Sequence, residues 1–93
     1  MVVAVRSGEL QLAGCQSLKD KRRIVKSLKD RLHRQFNVSA AEVDHQDAWQ
    51  QAALACGVVT TDRRHAEEVL ASCDRLIAGE PLAYVVSSEI SYA

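Results

Sequence analysis

The sequence predicts a ferredoxin-like α+β domain: a four-stranded antiparallel sheet with two helices on one face, in the order β-α-β-β-α-β. Apolar residues recur at every second position in four stretches and at every third or fourth position in two others. These segments run strand, helix, strand, strand, helix, strand, the pattern of two crossovers joined by a hairpin. A chain of 93 residues, 47% apolar and 26% charged, suits one domain over 1–93 with a modest core.

The first strand covers residues 2–12. Val3 and Val5 share one parity and Leu10 and Leu12 the other, so a bulge near Ser7-Gly8 is expected to bring both pairs inward. Gly14 marks a turn, and Ser17 is the expected N-cap with Asp20 three residues on. The helix that follows aligns Ile24, Val25, Leu28, Leu32 and Phe36 on one stripe. Lys21 projects into that stripe, so its amine must pass the sheet edge or turn toward the Gly14–Ser17 loop.

A second strand spans Val38–Val43, and Asp44-His45-Gln46-Asp47 forms a connection with Trp49 packed beneath it. The third strand, Trp49–Thr61, carries Ala52, Leu54, Cys56 and Val58 on one face and Ala53, Ala55, Gly57 and Val59 on the other. Small apolar residues on both faces place this strand centrally. Thr61 or Asp62 caps the second helix, which turns Ala66, Val69, Leu70, Cys73, Leu76 and Ile77 inward and stops at Gly79 and Pro81. The last strand alternates Leu82, Tyr84, Val86 and Ile90 against Ser87, Glu89 and Ser91, with the apolar set expected inside.

Charge is the strongest functional signal. Residues 1–36 hold nine basic and three acidic side chains, net +6, and residues 37–93 hold three and nine, net −6. Eight of the twelve basic residues fall between Lys19 and Arg34 on the first helix. At about 100° per residue, Lys19, Arg22, Arg23, Lys26, Lys29 and Arg34 lie on or beside the face opposite the apolar stripe. Such a face suits the phosphates of a polyanion. Asp20 and Asp30 partly neutralise it, and an ordinary solvated helix face would look the same. The acids of the second helix, Asp62, Glu67, Glu68 and Asp74, could also neutralise it from beside.

The stretch Gly14-Cys15-Gln16-Ser17-Leu18-Lys19-Asp20-Lys21-Arg22-Arg23 resembles the loop and helix start of the YlxP-like family, small bacterial proteins classed as a domain of unknown function. The resemblance continues through Phe36-Asn37-Val38-Ser39, Ala41-Glu42-Val43-Asp44-His45-Gln46-Asp47 and Trp49-Gln50, and covers nearly the whole chain. It implies a ferredoxin-like fold. It also implies an RNA or ribosome context, since members are often encoded beside translation and ribosome-maturation genes. Cys15 stands where relatives commonly carry another small or polar residue.

Four further candidates follow. Ser17 and Lys21, at the helix N-terminus, could hold an anion, although an ordinary capped helix has the same look. Acylphosphatases of this fold bind phosphate there through a loop arginine, and residues 13–18 contain none. Asp44, His45 and Asp47 offer metal-ligand types, but three groups in one tight turn fit side-chain bonds to the turn's own backbone better. Cys56 and Cys73 lie on inward stripes, whereas Cys15, near lysines and a helix start, has the setting of an activated thiol without a general base. Ala53, Ala55 and Val59 are small enough for two open sheet faces to stack in a homodimer.

RNA modules that read bases are not apparent. Gln51–Thr60 lacks the aromatics of an RRM, and no GxxG loop of a KH domain occurs. Phe36, Trp49, Tyr84 and Tyr92 are the only aromatics, so shape and backbone charge are expected to dominate any RNA contact. With no catalytic constellation, cofactor motif, secretory leader or bilayer-length apolar run, the expectation is a non-enzymatic cytoplasmic accessory factor. Its expected partner is structured RNA or a ribosomal subunit. The alternative is a structural homo-oligomer or protein-interaction module that uses the open sheet face.

Overall fold

Six elements occur in the expected order in a computed structural model describing residues 1–93: β1 (Val2–Gln11), α1 (Leu18–Gln35), β2 (Ser39–Asp44), β3 (Gln51–Thr60), α2 (Arg63–Ala78) and β4 (Tyr84–Tyr92). The sheet is antiparallel throughout in the order β2-β3-β1-β4, so β1 and β3 are central. Val25, Leu28 and Leu32 of α1 and Ala66, Leu70, Cys73 and Ile77 of α2 close over the sheet. They form one core with Ala4 and Leu10 of β1 and with Ala52, Leu54, Cys56 and Val58 of β3. Ala4, Ala52 and Ala66 are all fully buried, and their small side chains let α2 lie close to the two central strands.

Two expectations about strand phase are corrected. β1 pairs with β3 without interruption from Val2↔Thr60 to Gln11↔Gln51, so there is no bulge at Ser7-Gly8. Even-numbered residues face the helices along its whole length: Ala4, Leu10 and Leu12 are buried, and Val3 and Val5 lie on the open face. Arg6 shares the inward parity, where its guanidinium pairs with Asp74 of α2 and donates to Ser88 Oγ at 3.0 Å.

The irregularities sit in the edge strands instead. β4 shifts register against β1 between Glu9 and Leu10, which leaves Val86 as the extra residue between Val85 and Ser87. That shift changes the inward set of β4 partway along. Ile90 packs on the core as expected, but Val85 takes the inward place, and Leu82, Tyr84 and Val86 are exposed. β2 shifts in the same way at Val43, between Glu42 and Asp44. The outer edge of β2 is also covered in part, because His33 Nε2 of α1 accepts the Ala40 N–H at 3.1 Å.

Candidate nucleic-acid interface

α1 has the caps its sequence calls for. Ser17 Oγ accepts the Asp20 N–H at 3.1 Å, which caps the helix, and the Asp20 carboxylate accepts the N–H of Gln16, the residue before the cap, at 3.1 Å. This arrangement corrects the anion site expected at Ser17 and Lys21. Ser17 Oγ is engaged in the cap, and the Lys21 ammonium is inside the protein.

Lys21 has no exposed surface. Its ammonium donates to the carbonyls of His45 and, at 3.0 Å, Gln51, and lies 2.8 Å from Glu42 Oε2. Acceptors and a counter-charge thus surround it, as a buried ammonium requires. The amine turns neither past the sheet edge nor toward the Gly14–Ser17 loop. It spans from the first turn of α1 to the β2–β3 connection.

That connection is held at further points. Leu12 N–H donates to Gln50 O at 2.9 Å, and Gln50 Nε2 donates to Cys15 O at 3.3 Å. The Asp44 carboxylate accepts the His45 N–H at 2.8 Å, and the His45 imidazole lies 2.8 Å from Glu9. The Asp44 and His45 side chains are therefore engaged within the fold. His45 adopts a left-handed backbone with φ 63°, a conformation open to histidine more often than to most residues. Trp49 does not pack beneath the turn as expected; it is 52% exposed.

The six cations of the α1 face divide into two groups. Arg23 lies 3.2 Å from Asp20, and Lys26 lies 2.8 Å from Asp30. The bonded Lys26 ammonium holds the Asp30 carboxyl below its usual range. Lys19, Arg22, Lys29 and Arg34 have no carboxylate within 4 Å.

α2 does not neutralise this face through direct ion pairs. Glu67 and Glu68 lie 3.5 Å from Arg63 and Arg64 of their own helix, and Asp74 is taken by Arg6. The one ion pair from α1 to the far end of the chain joins Arg31 to Glu80 at 2.7 Å, just beyond α2. The open sheet face has the opposite character. By register it presents Glu9, Asp44 and Glu89 and no lysine or arginine, around a floor of Ser7, Gly8 and Ala53. The open-face acids and the α1 cations thus lie on opposite sides of the sheet, while Asp62, Glu67, Glu68 and Asp74 belong with α2 to the helix side.

Ala53, Ala55 and Val59 lie on that open face, at the parity expected of them. Ala53 is 5% exposed between its neighbouring strands, whereas Val59 is 68% exposed.

The cysteines are all free and buried. Burial raises the Cys15 thiol above its ordinary 9.0, with Asp20 adding to the shift and Arg23 and Lys21 opposing it, so the activated thiol expected there is corrected. Cys15 should therefore resist iodoacetamide at neutral pH until the protein unfolds. Its effect on stability also has a defined sign. The unfolded thiol ionises near 9.0 while the native one keeps its proton, so stability falls as pH rises through that range. Urea titrations of the native chain and of Cys15→Ala at neutral pH and above pH 9 would measure the difference; an unchanged dependence on pH would refute it. Cys56 and Cys73 share the core between β3 and α2, where hydrogen bonding to the Cys73 thiol and burial push the Cys56 thiol upward.

No helix is long and apolar enough to cross a membrane. Comparison with known proteins bears on fold and family. The fold is similar to that of a de novo designed protein with ferredoxin fold, solved by solution NMR: TM-score 0.59 and 15% identity, over 97% of this chain and 85% of that one. The uncharacterized protein YlxP of Bacillus subtilis (strain 168) is 37% identical over 54 residues, which is 58% of this chain and 59% of that protein. The model of a protein family of unknown function, DUF503, matches residues 3–90. The chain belongs to that family, DUF503, and its relative YlxP agrees with the resemblance carried by the loop before α1 and the β2–β3 connection.

Proposed function

We propose that the protein is a non-enzymatic accessory factor of the cytoplasm that binds structured RNA, in a ribosomal context, through the outward face of α1. The observation that carries this reading is the set of four cations of α1 without carboxylate partners, of which Lys19, Arg22 and Arg34 are exposed and Lys29 is half-buried. Each can neutralise a phosphate and release its counterions. The acidic sheet face would be turned away from the polyanion and would fix the orientation of binding. Three free, buried cysteines suit a reducing compartment.

Stacking of two open faces in a homodimer fits less well. It would bring Glu9, Asp44 and Glu89 of both copies together with no lysine or arginine between them.

The test is binding to total ribosomal RNA across a salt titration. The expected result is an affinity that falls linearly in log salt, with a slope reporting roughly three to four phosphate contacts. Absence of binding at low salt would overturn the reading.

A further inference from the structure

We propose that Trp49 is a stacking platform for an unpaired nucleobase of the RNA whose phosphates α1 holds. The inference rests on the RNA reading above and adds a ligand class to it: single-stranded or looped-out nucleotides rather than uninterrupted duplex.

The β2–β3 connection is firmly held. A completely buried lysine, Lys21, uses its ammonium on the carbonyls of His45 and Gln51. Gln50 is bonded to Leu12 and Cys15, and His45 to Glu9. Yet Trp49, the only tryptophan of the chain, stands 52% exposed in the middle of this anchored segment. A large aromatic side chain left in water on a restrained backbone loses little further freedom when a flat ligand covers it.

Its place in the fold selects the ligand. Gln50, the next residue, is bonded to the segment that leads into α1, and Lys21 ties the same connection to the first turn of α1. Lys19 and Arg22, two of the cations without carboxylate partners, belong to that same end of the helix. Aromatic faces beside cationic grooves are how single-stranded nucleic acid is bound: the base stacks and the backbone is neutralised alongside.

Asp47 lines the shallow groove with Trp49, Ala48, Gln50 and Gln51. Its carboxylate repels phosphate and accepts hydrogen bonds from exocyclic amino groups. This polarity places the base at Trp49 and the phosphate toward α1.

The sole tryptophan allows a direct test in the intact chain. Intrinsic fluorescence is followed while single-stranded oligoadenylate of about 12 nucleotides, within the usual range of site sizes, is added at low salt. A blunt RNA duplex of the same length serves as the comparison, and fluorescence anisotropy of labelled RNA reports binding independently. The expected result is quenching by the single strand and little by the duplex. Trp49→Ala should weaken single-strand binding roughly 5- to 150-fold at an unchanged salt slope, and Trp49→Phe should keep most of the affinity.

Binding seen by anisotropy without quenching, or equal affinity for W49A and the native chain, overturns the stacking role and leaves the α1 reading intact. Failure of oligoadenylate, duplex and ribosomal RNA alike to bind overturns both.

Discussion

Lys21→Met should destabilise the protein by about 3–5 kcal/mol, the usual result of removing one partner from a buried ion pair. Methionine keeps the length and apolar character of the lysine stem, so packing along α1 is preserved and the loss falls on the ammonium alone. Glu42 would then keep a carboxylate in a site where its side chain is 17% exposed and its cation is gone. The carbonyls of His45 and Gln51 would lose a donor as well. Against a total stability of roughly 5–15 kcal/mol for a domain, the variant would be marginal. Urea unfolding followed by circular dichroism measures the change. The double variant K21M/E42Q should recover part of the loss, because it removes the stranded charge. A loss below about 1 kcal/mol in the single variant would mean that water or a shifted loop replaces the ammonium.

The same lysine shows where legibility in the sequence ended. Helical periodicity put Lys21 on the apolar stripe of α1 correctly, since its neighbours there, Val25 and Leu28, are buried. Its acceptors could not be read. They are three backbone carbonyls, those of His45, Gln46 and Gln51, and one carboxylate, brought to it by tertiary folding from 21 to 30 residues away. One signal was present: Glu42 shares the inward parity of Ala40 in β2, so an acid and a lysine both pointed at the same core.

Strand phase was legible in β3 and not in β1 or β4. In β3 the inward set Ala52, Leu54, Cys56 and Val58 is larger on the whole than the outward set, and size alone decides the face. In β1 the rule reverses, because Ala4 occupies a fully buried position on the helix side while Val3 and Val5 lie on the open face. Side-chain volume therefore pointed to the wrong face. In β4 one extra residue, Val86, changes the parity partway along, and a bulge of this kind leaves no glycine to announce it. The exposure of Trp49 was hidden for a related reason. Whether an aromatic residue in a connection is covered depends on how that connection folds back, and here Lys21 and Gln50 pull it against the start of α1.

Reversing Arg22 and Lys29 together, R22E/K29E, should lower affinity for ribosomal RNA by roughly ten- to a hundred-fold at low salt, with no change in stability beyond about 0.5 kcal/mol. Both residues lack a carboxylate partner, so their removal breaks no ion pair, and each replaced cation should reduce the log–log salt slope by roughly one. The same change at Arg23 and Lys26 is a weaker test of binding, since Asp20 and Asp30 already offset those charges and the helix would lose two local pairs. Asp30→Asn moves in the opposite direction. It releases Lys26 from its 2.8 Å bond and removes a negative charge from the face, so binding should strengthen and the salt slope should steepen. Opposite signs for R22E/K29E and D30N, at matched stability, would separate a phosphate-contacting helix from a merely solvated one. Equal affinities for both variants and the native chain would place the RNA contact elsewhere, because the net charge of the α1 face would then have no bearing on binding.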